Sequence, residues 1–102
     1  MVFTAGQVAW DHTGNITGVG DVRSQTIQTL TNVTAVLEEG GATLGDVLKC
    51  NVYLKDMNDF QIMNEEFAKF FPDNPPARTT VQTPMADPEM LVEIEAIAYI
   101  GS

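Results

Sequence analysis

The sequence is poor in the residues that most catalytic centres are built from. It has one cysteine, Cys50, and one histidine, His12. An internal disulfide is therefore excluded, and no Cys/His metal set can be assembled. His12 lies in the turn-rich stretch Asp11-His12-Thr13-Gly14-Asn15, which reads as a solvated loop, so no Ser-His or Cys-His machinery is evident. Basic residues are also scarce, with 5 Lys and Arg against 14 Asp and Glu for a net charge of -9. Nucleic-acid binding needs a basic track. None exists, so RNA and DNA are not expected partners. No apolar run approaches the roughly 18 residues of a membrane span, and no membrane association is expected. The first residues, Met1-Val2-Phe3-Thr4-Ala5-Gly6, lack the basic-then-apolar pattern of a secretory signal. A lone cysteine suits a reducing compartment, and the expected location is cytoplasmic.

What remains is an ordinary globular composition, 44% hydrophobic over 102 residues. One domain spanning 1–102 is expected. Residues 2–10 mix Val2, Phe3, Val8 and Trp10 with small residues and read as an opening strand. Asp21 can cap a helix whose apolar face is Val22, Thr26, Leu30, Val33 and Leu37, spaced by threes and fours. Gly40-Gly41 ends it. Val47–Lys55 reads as a second strand, with Leu48, Cys50, Val52 and Leu54 on its apolar side. Cys50 is then a buried, inert thiol. Phe60, Met63, Phe67 and Phe70 recur at helical spacing and read as a core stripe, stopped by Pro72, Pro75 and Pro76. Ala77–Thr83 and Met90–Ile100 read as two further strands. The order predicts an α+β domain, with two helices packed on one face of a mixed sheet.

Alternation sorts the last two strands into faces. Ala77, Thr79 and Val81 share one side, and Arg78, Thr80 and Gln82 the other. Val92, Ile94, Ala96 and Ala98 oppose Leu91, Glu93, Glu95, Ile97 and Tyr99. A face holding both charges and large apolar residues fits a subunit interface with a polar site in it. The chain has two arginines, Arg23 and Arg78. Arg23 falls in the first turn of a helix, where a cation gains nothing from the dipole. Arg78 follows Pro75-Pro76-Ala77 and can grip a carboxylate through its planar fork. A cross-strand ion pair with Glu93 or Glu95 would use it equally well. Glu93 and Glu95 can divide acid and base roles, or form a charged stripe on a solvated face.

The stretches Ala5-Gly6-Gln7-Val8, Gln25-Thr26 with Asn32, Lys49–Asp56, Asn58-Asp59-Phe60, Pro76-Ala77-Arg78-Thr79-Thr80-Val81 and Val92–Ala98 follow one another in a familiar order. Together they resemble the reactive intermediate deaminase (RidA, YjgF or L-PSP endoribonuclease-like) family over nearly the whole chain. The resemblance implies a chorismate-mutase-like fold and a homotrimer with small-carboxylate clefts between subunits. It implies hydrolysis of enamines and imines, such as 2-aminoacrylate, to 2-keto acids and ammonia, without metal or organic cofactor. By the same resemblance, Arg78 holds the substrate carboxylate, Glu93 positions a water, and backbone groups near Gly6 and Thr80 approach the ligand. A trimer that binds a small carboxylate without catalysis, or a minor endoribonuclease activity, are the alternatives. Three departures stand out. Ala5 replaces a serine, and Thr80 replaces the cysteine of some members. The resemblance starts at the family's second strand, so the preceding tyrosine of the cleft has no counterpart.

Overall fold

The computed structural model describes residues 1–101. Helix α1 spans Val22–Glu39, and the Asp21 side chain accepts from the backbone N–H groups of Arg23 and Ser24 at its start. That satisfies two donors left without helical partners. The predicted stripe Val22, Thr26, Leu30, Val33 and Leu37 is buried throughout. The helix closes at Gly40, and Gly41 takes φ 84°, a left-handed conformation that glycine adopts without a Cβ clash. Helix α2 spans Phe60–Phe70, preceded by a short 3-10 turn over Met57–Asp59 in which Asp56 accepts from Asn58 N–H.

The strands are β1 (Val2–Phe3), β2 (Val47–Leu54), β3 (Ala77–Gln82) and β4 (Val92–Ala98). They form one sheet in the order β1-β4-β2-β3, with β2 and β3 parallel and the other pairings antiparallel. Both helices lie on one face. Leu30, Val33 and Leu37 of α1 and Met63 and Phe67 of α2 close over Cys50, Val52, Leu54, Val92, Ile94, Ala96 and Ala98. This is the α+β layer that the element order predicts.

Two local expectations are corrected. The opening strand is not continuous over 2–10. Its ladder stops at Phe3, although Thr4 N–H still donates to Ala96 O at 2.9 Å and Gln7 exchanges two backbone bonds with Ile94. The Thr4 hydroxyl accepts from Ala96 N–H at 2.9 Å, replacing a ladder bond, and the chain bows away at Ala5-Gly6. Leu48 is not on the apolar side with Cys50. It is 54% exposed, because an irregularity between Val47 and Lys49 breaks the alternation there.

Two buried or half-buried polar side chains fasten the irregular segments. The Gln25 amide donates to Gly18 O and Glu89 O and accepts from Leu91 N–H, so every polar atom of a fully buried side chain is used. Asn32 donates to Val8 O and Trp10 O, both at 2.9 Å. It thereby holds the segment that leads out of Gly6-Gln7. The open face of the sheet keeps large apolar groups in solvent, with Phe3 67% and Tyr99 55% exposed.

Candidate active site

Strand β3 is an edge strand, and Arg78 lies beside Cys50 of β2 in the parallel register. Residues paired in register share a face. Arg78 therefore points to the side that carries the helices. Its guanidinium carbon sits 4.8 Å from the ring centre of Phe67 and 5.5 Å from that of Phe60, both on α2. The ion pairs among the described residues are Arg23 with Glu65 and Glu66, and Lys69 with Glu66. Arg78 is in none of them. Partial burial pulls its pKa below the ordinary arginine value, since desolvation disfavours the charged form. Arg78 also lines a recess of about 520 Å³ with Asn64, Phe67, Phe71 and Pro76. Thr80 follows two residues later on the same face, paired with Val52.

Glu93 and Gly6 form the other half. Glu93 pairs with Tyr53 of β2, and Glu95 with Asn51, on the open face of the sheet. Gly6 approaches so closely that a Cβ there would fall 2.1 Å from Glu93 Oε2. These residues, with Tyr53, Pro84 and Glu95, line a recess of about 260 Å³. The Tyr53 hydroxyl donates to Glu95 Oε1, and that bond is the main cause of the rise in the Tyr53 pKa.

The four candidate residues thus fall into two pairs. Arg78 and Thr80 are together on the helix side, and Glu93 and Gly6 are together on the open side. Strand β2 lies between β3 and β4, and the sheet itself separates the pairs. An ion pair of Arg78 with Glu93 or Glu95, the alternative left open by the sequence, is ruled out within one chain. A larger recess of about 790 Å³ lies elsewhere, at the carboxyl ends of β2 and β3. Asp21, Asp56 and Asp59 line it, with Lys55 as its one cation. Lys55 already donates to Pro88 O, so this recess is ill suited to a carboxylate ligand.

Sequence reading gives no site role to three residues that lie there. Phe60 and Phe67 read as core, yet both lie within cation–π distance of Arg78, and Phe60 is 37% exposed. Tyr53 reads only as part of the Lys49–Asp56 stretch, yet its hydroxyl ties down Glu95. The signal for the first two was present, since Phe60 and Phe67 are two helical turns apart on one face. No helix among the described residues is long and apolar enough to cross a membrane.

The Endoribonuclease L-PSP family profile matches residues 1–100. A RutC family protein of Pyrococcus horikoshii is 50% identical over 100 residues, covering 97% of this chain and 79% of that protein. A RutC family protein of Synechocystis is 43% identical over 102 residues, covering 98% of this chain and 78% of that one. Among solved structures, Escherichia coli TdcF with bound serine superposes with a TM-score of 0.89 at 36% identity, over 97% of this chain and 80% of TdcF. RidA from an Antarctic Psychrobacter gives a TM-score of 0.89 at 35% identity, over 96% of this chain and 79% of that chain. With sequence and fold agreeing over nearly its whole length, the chain belongs to the RidA (YjgF, L-PSP endoribonuclease-like) family.

Proposed function

We propose that this protein hydrolyses reactive enamines and imines, such as 2-aminoacrylate, to 2-keto acids and ammonia in the cytoplasm. The observation that carries the reading is Arg78, a half-buried cation with no carboxylate partner among the described residues. A desolvated guanidinium left unpaired is a receptor for an anion of matching fork geometry. The serine bound to TdcF supports the choice of anion. Serine less one water is 2-aminoacrylate, so the two share their carboxylate and 2-amino nitrogen.

In this reading the protein is a homotrimer. Arg78 and Thr80 of one subunit face Gly6 and Glu93 of its neighbour across a cleft, because one chain keeps the pairs on opposite faces of its sheet. Arg78 fixes the substrate carboxylate and so orients the adjacent C=N carbon. 2-Aminoacrylate tautomerises to 2-iminopropanoate, whose protonated form is already electrophilic. A water held by Glu93 adds to that carbon, giving up a proton to the carboxylate as the new C–O bond forms. Proton transfer to nitrogen and cleavage of the C–N bond then release ammonia and pyruvate, with the water oxygen as the keto oxygen. Such an electrophile requires neither an activated protein nucleophile nor a cofactor, which suits a chain with one histidine and one buried cysteine.

The test is release of 2-keto acid from 2-aminoacrylate generated in situ by β-elimination from serine. The wild-type protein is expected to exceed the buffer rate. Arg78→Ala is expected to lose about ten- to hundredfold in kcat/KM, the equivalent of roughly 1.5–3 kcal/mol for a hydrogen bond to a charged group. A wild-type rate equal to buffer, with 2-ketobutyrate still bound, would leave a carboxylate-binding trimer without catalysis.

A further inference from the structure

We infer that Phe60 and Phe67 form an aromatic clamp whose function is to hold the Arg78 guanidinium in its anion-accepting pose. The inference rests on the reading of Arg78 as the carboxylate receptor and assigns the residues that position it. Phe60 and Phe67 are seven residues apart on α2, two turns or about 10 Å along the axis. The guanidinium carbon lies over both rings, 5.5 Å from the centre of Phe60 and 4.8 Å from that of Phe67. Both distances are within the range of about 6 Å for cation–π attraction.

The choice of partner has a chemical consequence. An Asp or Glu beside Arg78 would also hold it, but would occupy the N–H fork and compete with any ligand carboxylate. An aromatic ring attracts the cation through its quadrupole and supplies no acceptor oxygen. The donors therefore stay available. The contrast with Arg23 is internal to the chain. Arg23 spends its donors on Glu65 and Glu66 and ties α1 to α2. Arg78 is held by two rings instead and joins none of the ion pairs among the described residues. The two rings also differ in exposure, with Phe67 at 3% and Phe60 at 37%. Phe67 is thus fixed by the core, whereas Phe60 lies at the surface.

The experiment is calorimetric titration of the assembled protein with 2-ketobutyrate, combined with NMR of the arginine Nε–Hε resonances. The chain has two arginines, so Arg23→Lys assigns the spectrum. Phe60→Leu is expected to weaken 2-ketobutyrate binding about two- to fivefold, and Phe67→Leu by up to about thirtyfold. Phe60→Tyr and Phe60→Trp are expected to bind like the parent. In the leucine variants the Arg78 Nε–Hε signal should lose its ring-current shift and move toward that of Arg23, and KM should rise by a larger factor than kcat falls. Phe60→Leu spares the core, so the test does not depend on the fold tolerating Phe67→Leu. Parent-like affinity in Phe60→Leu, or equal losses in Phe60→Leu and Phe60→Trp, would overturn the clamp. Arg78→Ala separates the two claims. If it weakens binding while the phenylalanine variants do not, only the clamp falls. If it binds like the parent, the carboxylate role of Arg78 falls and the clamp with it.

Discussion

The Glu93 carboxylate occupies the space in which residue 6 would carry a β-carbon, since a Cβ built on Gly6 meets Glu93 Oε2 at 2.1 Å and Cδ at 2.9 Å. Glycine is needed here for close approach. Pairing with β4 resumes immediately after Gly6, where Gln7 exchanges two backbone bonds with Ile94, and Asn32 holds the segment that follows.

Gly6→Ala is therefore expected to displace the Glu93 carboxylate while leaving the fold intact. A glutamate side chain can swing aside, so the loss of stability should stay within about 1 kcal/mol. Turnover of 2-aminoacrylate should fall markedly while 2-ketobutyrate affinity changes less. A Gly6→Ala protein with unaltered turnover would remove Glu93 from the reaction.

Glu93→Gln keeps the size of the side chain and removes its basicity. It is expected to spare 2-ketobutyrate binding and to lower kcat by roughly the 10²–10⁴ that general acid–base catalysis contributes. Steady-state kinetics alongside calorimetry would separate the two effects. Weaker binding at full kcat would make Glu93 a binding group instead.

Cys50 is fully buried, and burial pushes its thiol up to about 12 from 9.0. The neutral thiol is the form that folding favours. Its contribution to stability is complete below 9.0 and is lost as the pH rises toward 12. Native protein should resist alkylation at neutral pH. Cys50→Ala should cost on the order of 1 kcal/mol in urea unfolding, with turnover unchanged. Rapid labelling of the folded protein would contradict the burial.

Glu66 is buried between Arg23 and Lys69, and hydrogen bonds from Lys69, then from Arg23, hold its pKa below the usual 4.5. A depressed carboxylate stabilises the fold above its unfolded value and stops doing so as the pH falls through its folded value. Urea midpoints taken from neutral pH down past 4.5 should therefore drop, and Glu66→Gln should flatten that drop. An identical pH profile in the variant would show that this cluster does not couple α1 to α2.

The proposed homotrimer has its own measurement. The exposed Phe3 and Tyr99 on the open face are of the size that association covers. Light scattering after size exclusion should give about three times 11.1 kDa at micromolar concentration. A monomer mass would sink the shared cleft, because one chain keeps Arg78 and Glu93 apart.

Sequence alone determined whatever depends on local order. The stripe from Val22 to Leu37, the Asp21 cap, the glycine pair at 40–41 and the alternation of β3 and β4 follow from helix and strand periods, which act within a few residues. Residue type and strand alternation single out Arg78 and Glu93, whereas Gly6 and Thr80 rest on the family resemblance alone. What the sequence left undecided was which strand lies beside which. Alternation says that Arg78 opposes Ala77 and that Glu93 opposes Val92, but it carries no information about a third strand. Only the register of β3 on β2, with Arg78 beside the buried Cys50, sends Arg78 to the helices, while Glu93 beside Tyr53 stays on the open face. Leu48 failed for a related reason, since a ladder irregularity beside one residue reverses a face that counting alone would assign. The aromatic setting of Arg78 likewise required α2 to pack beside the edge strand. These are contacts between segments distant in the chain, chosen by how the whole core closes, and no local pattern encodes them.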